Sequence, residues 1–112
     1  MSGDQRKGDI VRYWPLGRPG RHGLATVISD GVVEFGGVDT VRVRKLTGKL
    51  AGSTDYIAVT HVETVGHSDD GRTCKVQSVK DALEVCELDF VDVVITDNME
   101  RIKMQKLLKG FR

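Results

Sequence analysis

The sequence lacks a strong excess of charge of either sign, and it lacks any long apolar segment. Its 17 Lys and Arg residues nearly balance 16 Asp and Glu residues, so the formal net charge is +1. Proteins that bind nucleic acid non-specifically are usually clearly basic, and this balance argues against that class. No apolar run approaches the roughly 18–20 residues that a transmembrane helix needs, so no membrane partner is expected.

Cysteine is also scarce, because Cys74 and Cys86 are the only two in the chain. No apolar stretch follows residues 1–7, so no secretory signal peptide is expected. Without a secretory signal, two reduced thiols are favoured over a disulfide. These features predict a cytoplasmic location, meaning the host cytoplasm or the virion if the protein is viral.

Motifs for catalysis and metal binding are missing. The sequence contains no nucleophile elbow and no paired catalytic carboxylates, which indicates that the protein is not an enzyme. The candidate metal ligands have spacings that match no zinc pattern, since such patterns use closely spaced ligand pairs. These candidates are His61, His67, Cys74 and Cys86. We therefore expect no catalytic residue, no metal and no cofactor.

Short segments of alternating polarity, separated by turn residues, fill the first half of the chain. The dipeptide Asp30-Gly31 predicts a tight hairpin, and Gly36-Gly37 predicts the next reversal. A long loop that is rich in glycine and proline, residues 15–23, follows the first segment. The predicted strands are residues 10–14, 24–29, 32–35, 38–45 and 55–60. Five short strands of this kind predict a small barrel or sandwich.

Beyond residue 66 the pattern changes. Residues 67–72 are rich in turn formers and predict a linker, and residues 73–112 predict a helix–strand–helix extension. Residues 1–6 predict a mobile tail. The first helix is predicted to begin at a Ser78 cap and to bury one face. That predicted face consists of Val79, Ala82, Leu83 and Cys86.

The second predicted helix follows a β-branched strand over residues 90–96. It is capped by Asp97 with Glu100, and Gly110 ends it. An apolar stripe on this helix either packs on the protein's own sheet or forms an interface with another protein or a second copy. The stripe consists of Met104, Leu107, Leu108 and Phe111. Acidic residues dominate 81–100 and basic residues 101–112, which indicates either helix-dipole compensation or a docking surface.

Basic and aromatic side chains are interleaved around the predicted loop and the fourth strand. Guanidinium groups bind phosphates in a fork and aromatic rings stack, so such a cluster is typical of surfaces that bind nucleic acid or acidic peptides. The alternative is a solvated outer face with the tryptophan as a core residue. The candidate residues for binding a partner or nucleic acid are Arg12, Trp14, Arg18, Arg21, His22, Arg42, Arg44 and Lys45.

Three segments carry a family resemblance. Residues 7–11 (Lys-Gly-Asp-Ile-Val), 25–28 (Ala-Thr-Val-Ile) and 56–65 resemble the opening strand, second strand and closing strands of SH3-like barrels of the KOW and Tudor type. The resemblance covers about residues 7–66 and implies a binding module. An aromatic content of 5% departs from the aromatic-cage pattern of Tudor domains that read methylated residues.

The combined prediction is a mainly β protein, an SH3-like five-stranded barrel followed by the helix–strand–helix extension. The leading functional hypothesis is a non-enzymatic protein–protein adaptor, inhibitor or assembly component, such as a phage-type accessory or virion protein. Its partner would be another protein or a second copy of the chain. The alternatives are a nucleic-acid-associated or transcription- or translation-associated module, and a protein that sequesters a small anionic ligand between subunits.

Overall fold

The fold is mainly β, with two helices in the C-terminal part. A computed structural model describes residues 5–14, 22–88 and 90–110. The chain divides into two compact units, Met1–Val65 and Gly66–Arg112. Within the described ranges, no helix combines the length and the apolar character that crossing a membrane requires.

The first unit is built from six strands and a short 3₁₀ turn. Strand β4 is central to it, because β2 and β3 pair along one of its edges and β5 pairs along the other, all antiparallel. Strand β1 pairs antiparallel with β2, and β6 lies next to β1. The elements are β1 Asp9–Tyr13, β2 Gly23–Val27, β3 Val33–Phe35, β4 Val38–Lys45, β5 Thr54–Ala58, the 3₁₀ turn Val59–His61 and β6 Val62–His67. In the part of the chain that the structure describes, β5 and β6 do not pair, so the sheet stays open there.

The prediction of a hairpin at Asp30-Gly31 is wrong. Val27 lies opposite Val43 and Val33 lies opposite Thr40, so β2 and β3 run in the same direction along β4, and residues 28–32 form a bulge between them. A glycine that follows Asp or Asn fits a bulge as well as a turn, because both need positive φ. The pairing with β4 selects the bulge.

The bulge is tied to β4 by a serine. The Ser29 hydroxyl donates a hydrogen bond to the Gly31 carbonyl oxygen (2.7 Å) and accepts one from the Arg42 N–H (3.2 Å). The reversal predicted at Gly36-Gly37 is confirmed, since their φ values are 60° and 80° and Phe35 lies opposite Val38. Two consecutive positive φ values are typical of the two-residue type I′ turn.

The core of the first unit lies on one face of β1, β2 and β4. The alternation predicted for β4 is confirmed, because Val41 and Val43 are buried while Arg42 and Arg44 are exposed. Core residues also come from the 3₁₀ turn and β6. The core consists of Val11, Tyr13, Ala25, Val27, Val41, Val43, Val59 and Val62, with Ile57 packed against it.

Part of the predicted mobile tail belongs to this folded unit. Gln5 is buried, and the backbone of Arg6 closes a turn with Asp9: its N–H donates to the Asp9 carboxylate (2.9 Å), and its carbonyl accepts from the Asp9 N–H (3.0 Å). The other residues of that predicted tail, 1–4, lie outside the described ranges.

The second unit begins within β6. Gly66 lies opposite Val76 in an antiparallel pair with β7, and β8 pairs with β7 in parallel after the crossover helix α1. The elements are β7 Thr73–Val76, α1 Val79–Val85, β8 Asp92–Ile95 and α2 Asn98–Gly110. The predicted helix–strand–helix order therefore lacks β7, a four-residue strand that pairs with β6 across a short turn and with the more distant β8.

The segment predicted as a linker forms the turn of the β6–β7 hairpin. The Asp70 carboxylate accepts hydrogen bonds from the N–H groups of Arg72 (2.8 Å) and Thr73 (3.0 Å), and the Ser68 hydroxyl accepts one from Gly71 (3.0 Å). The bonds from Thr73 and Arg72 lower the pKa of Asp70, because they stabilise the ionised carboxylate.

Both predicted helix caps are confirmed. The Ser78 hydroxyl accepts from the Asp81 N–H (3.1 Å), and the Asp97 carboxylate accepts from the N–H groups of Met99 (2.9 Å) and Glu100 (3.1 Å). A further bond joins the two helices within this unit, since Glu100 Oε2 accepts from the N–H of Val79 (3.0 Å) at the start of α1.

The predicted buried face of α1 is partly wrong. Ala82 and Val85 are the buried residues of this helix, whereas Leu83 and Cys86 are exposed. A helix of seven residues buries only a narrow stripe, here positions i and i+3, because its other sides face away from β7 and β8.

Candidate functional site

The first unit contains an aromatic cleft at the ends of β1, β4 and β5. Its volume is about 330 Å³, at the small end of the roughly 300–1,000 Å³ that is typical of ligand pockets. Its lining residues are Tyr13, Trp14, Lys45, Asp55, Tyr56, Ile57, Ala58 and His61. The chain has two tyrosines and one tryptophan, and all of them line this cleft.

Two of the rings, those of Tyr13 and Trp14, lie at the end of β1. Tyr13 is the last residue of β1 and lies opposite Gly23. A Cβ atom at position 23 would lie 2.6 Å from the Tyr13 ring, so only glycine there lets the ring lie across β2. The N–H of Trp14 donates to the His61 carbonyl oxygen (3.2 Å), which fixes the end of β1 against the 3₁₀ turn.

A charged pair lies beside these rings. Lys45 Nζ is 3.7 Å from Asp55 Oδ2 and 5.8 Å from the centroid of the Tyr13 ring. The lysine side chain is only 17% exposed, whereas that of Asp55 is 55% exposed. Burial raises the pKa of the Tyr13 phenol, and the negative charge of Asp55 raises it further. Tyr13 therefore remains a neutral hydrogen-bond donor at physiological pH.

An exposed aromatic pair continues from the cleft along the neighbouring sheet face. The rings of Phe35 and Tyr56 are stacked, with centroids 5.1 Å apart and planes inclined by 12°. The guanidinium carbon of Arg42 lies 5.8 Å from the centroid of the Tyr56 ring, because these residues are cross-strand neighbours on β4 and β5. Phe35 is 61% exposed and Tyr56 42% exposed, so the pair is open to solvent.

The structure brings part of the predicted binding cluster together. Trp14 and Lys45 line the cleft, and the His22 ring lies 5.8 Å from the Trp14 ring. Arg42 and Arg44 are exposed on β4. The other two predicted arginines of the loop, Arg18 and Arg21, lie outside the described residues.

Arg12 is placed differently from the other predicted residues. It is 5% exposed, and its guanidinium lies 3.3 Å from Glu63 Oε1 of β6. Arg12 therefore ties β1 to β6 and does not present its charge at the surface.

Several residues of the cleft were not among the sequence candidates. Asp55, Tyr56 and Ile57 reach it through the pairing of β5 with β4, and His61 reaches it through the 3₁₀ turn. The one available signal was the presence of both tyrosines in strand segments, since tyrosine is a frequent residue of binding surfaces.

The apolar stripe predicted for the last helix lies mostly outside the described part. Met104 is half-buried in α2. The side chains of Leu107 and Leu108, and all of Phe111, fall outside the described residues. Exposed apolar side chains that are described on α2 are Met99 (69%) and Ile102 (48%).

The described ranges contain no paired thiols and no cluster of side chains that could bind a metal ion. Cys74 and Cys86 are free thiols, the first buried and the second exposed. Among the described residues, no group of three or more His, Cys, Asp or Glu side chains is arranged to hold a metal ion.

Comparisons of the chain with protein-family models, with curated protein sequences and with solved structures find no match. The cleft itself is therefore the basis for a functional argument.

Proposed function

We propose that the chain is a non-enzymatic binding protein, whose first unit is an SH3-like barrel and whose aromatic cleft binds an extended segment of a partner protein. The observation that carries this proposal is the concentration of both tyrosines and the only tryptophan in one cleft. Tyrosine and tryptophan provide large apolar contact areas with a polar edge, and they lose little conformational entropy on binding.

The order of the elements supports the assignment to SH3-like barrels. An antiparallel succession of strands is followed by a single 3₁₀ turn, and the next strand, β6, returns to lie beside β1. The cleft opens beside the 3₁₀ turn and the end of β1, where loops and strand ends provide variable side chains on a rigid scaffold.

The lining of the cleft favours a peptide. Extended and proline-rich segments dock into grooves lined by aromatic rings, and the volume of about 330 Å³ suits the side chains of a short segment. The described lining contains one lysine and one aspartate, Lys45 and Asp55, so the cleft has little net positive charge to hold a chain of phosphates. The net charge of +1 also provides little long-range attraction for nucleic acid.

The cleft offers its own spectroscopic probe, because Trp14 is the only tryptophan in the chain. We suggest selecting a displayed library of random 12-residue peptides on the immobilised full chain, then titrating the enriched peptides while recording tryptophan emission. We expect binding to shift the emission. Truncation of Tyr56 to alanine should weaken binding at least about tenfold, as is typical for an aromatic hot-spot residue.

The matched control is Leu50→Ala, which truncates a 62% exposed apolar side chain in a loop outside the cleft. It should leave the affinity unchanged, and circular dichroism should show both variants folded. Enriched peptides that bind without changing the Trp14 emission, and that bind Tyr56→Ala normally, would place the binding surface elsewhere.

Single-stranded nucleic acid is the second candidate, and one specific observation favours it. Arg42 lies over the ring of Tyr56, which is stacked on Phe35, and Arg44 is exposed two residues further along β4, a combination that suits phosphates and bases. A 12-nucleotide oligothymidylate should then bind at low salt, weaken steeply as salt rises, and be lost on charge reversal of both arginines. No binding at low salt, or binding unchanged by the reversal, would reject this candidate.

A further inference from the structure

Lys45 places a positive charge in the cleft, beside the ring of Tyr13. Its side chain is 17% exposed, and it makes no hydrogen bond to any residue that the structure describes. Its carboxylate neighbour, Asp55 Oδ2, is 3.7 Å away, which is an ion-pair distance but too long for a hydrogen bond. Among the described residues no buried side-chain nitrogen or oxygen lacks a partner, so the three N–H donors of this ammonium stay in contact with solvent and are available to an acceptor on a ligand.

Asp55 is also held away from the lysine. Its other carboxylate oxygen, Oδ1, accepts a hydrogen bond from the Tyr56 N–H (2.8 Å), which anchors the group to β5. The carboxylate is 55% exposed, so solvent satisfies most of its remaining capacity. A ligand acceptor at ordinary hydrogen-bond distance from Lys45 Nζ would therefore be closer to the ammonium than Asp55 is.

We propose that the segment bound in the cleft carries an aspartate or glutamate next to an apolar or aromatic residue, with its carboxylate accepting a hydrogen bond from Lys45 Nζ. This inference rests on the proposed function of the cleft as a peptide site. The apolar neighbour packs against the ring of Tyr13, over which the ammonium of Lys45 lies, and Trp14 also lines the cleft. The binding preference is thus for acidic, partly apolar segments.

The charges around the cleft fit this class of partner. Arg42 lies over the outer ring of the cleft, Tyr56, and Arg44 follows it on the same exposed face of β4. These arginines lie on the face of β4 opposite to Lys45, so a second acidic residue meets their positive charge where the segment continues past Tyr56 onto that face. A basic segment would instead meet Lys45 in the cleft, where Asp55 is the one carboxylate among the described lining residues.

The test uses the peptides enriched on the full chain and compares each with a version in which every Asp and Glu is replaced by its amide. We expect acidic residues to be enriched beside apolar or aromatic ones, and the amide version to bind the wild type at least about tenfold more weakly, as is typical of a lost charge-assisted hydrogen bond. The variant Lys45→Met should bind both versions with the same weak affinity. Met retains an unbranched apolar stem against Tyr13, and a double-mutant cycle isolates the pair.

Two further variants sharpen the result. Lys49→Met is the matched control, because it removes an exposed lysine outside the cleft lining and should leave the preference for acid unchanged. Asp55→Asn removes the competing carboxylate and should strengthen binding of the acidic peptide. That increase is expected even if Lys45→Met proves unfolded by circular dichroism.

The outcomes separate the two proposals. Enriched peptides without acidic residues, whose binding depends on Tyr56 but not on Lys45, would overturn this inference and leave the peptide-binding function intact. Enriched peptides that ignore Tyr56 would overturn the function itself. Binding of the 12-nucleotide oligothymidylate that depends on Lys45, without selection of acidic peptides, would assign the ammonium to phosphate and overturn the inference.

Discussion

Cys74 and Cys86 are the same side chain in two different environments. Cys74 is fully buried in β7, and burial raises the pKa of its thiol to about 11, although a backbone hydrogen bond from His67 acts in the opposite direction. Cys86 is exposed just after α1. With a pKa of about 11, roughly one in a thousand Cys74 thiols is ionised at pH 8. The thiolate is the species that reacts, so Cys74 should react slowly.

We therefore expect a thiol reagent at pH 8 to modify one cysteine rapidly and the other only after unfolding. Time-resolved absorbance with a chromogenic disulfide would show a fast phase equal to one thiol, and the second thiol would appear in denaturant. The variant Cys86→Ser should lose the fast phase, and two equally fast phases would contradict the burial of Cys74.

Glu100 links the start of α2 to the start of α1, and its ionisation contributes to stability. The N–H of Val79 and then the ammonium of Lys103 lower the pKa of its carboxyl group in the folded state. A lowered folded-state pKa means that the contribution is present above the ordinary glutamate pKa, about 4.3, and is lost as the pH falls through the folded value.

The variant Glu100→Gln keeps an acceptor for Val79 but has no charge to lose. We expect the wild type to be more stable than this variant at pH 7, and the difference to shrink as the pH falls below about 4. Urea denaturation of both proteins at pH 7 and at pH 3 measures this difference in the free energy of unfolding. A difference that is the same at pH 7 and pH 3 would show that the ionised state of Glu100 has no role.

At the scale of the elements, the side chain of Ser29 holds the bulge between β2 and β3 to β4. Replacing Ser29 by alanine removes the bond to the Gly31 carbonyl and leaves the Arg42 N–H without this acceptor. We expect the free energy of unfolding to fall by about 1–2 kcal/mol. Ser53→Ala is the comparison, because this exposed hydroxyl donates one bond, to Leu50 within a turn (2.6 Å), and accepts none from the residues that the structure describes. Equal losses in urea denaturation would argue against a special role for Ser29.

The elements also show where sequence reasoning succeeds. The caps at Ser78 and Asp97 and the alternation along β4 were predictable, because each depends on residues a few positions apart. The bulge at Asp30-Gly31 was not, because the same dipeptide suits a turn and only the pairing with β4 distinguishes them. Strand β7 was missed for a similar reason, since its partners are β6 and β8.

The residues of the cleft also divide into those that the sequence suggested and those that only the strand pairing brings there. Trp14 and Lys45 were candidates, because aromatic and basic residues were visible near the loop and the fourth strand. Tyr56 and His61 were not, because the register of β5 on β4 and the 3₁₀ turn bring them to the end of β1. Arg12 is the converse case: its charge suggested a binding role, and the structure pairs its guanidinium with Glu63 of β6.

For the protein as a whole, the balance of charge has a direct consequence. The sequence has an isoelectric point of about 7.8, so the chain carries almost no net charge near that pH. Proteins without net charge repel one another weakly and associate more readily. We expect a solubility minimum close to pH 7.8 at low salt, measured by precipitation with polyethylene glycol at pH 6, 7.8 and 9.5. The exposed substitution Lys49→Glu should move the minimum to lower pH, and a minimum that stays in place would contradict this origin.

The contact between Tyr13 and Gly23 also has an evolutionary meaning. Gly23 is required by the ring that covers it, and not by its own backbone, because a Cβ atom there would lie 2.6 Å from that ring. The two positions should therefore diverge together in any lineage that carries this fold: a larger residue at 23 becomes acceptable only after the ring at 13 is lost. Since Tyr13 also lines the cleft, such a paired change would mark descendants whose ligand preference has shifted.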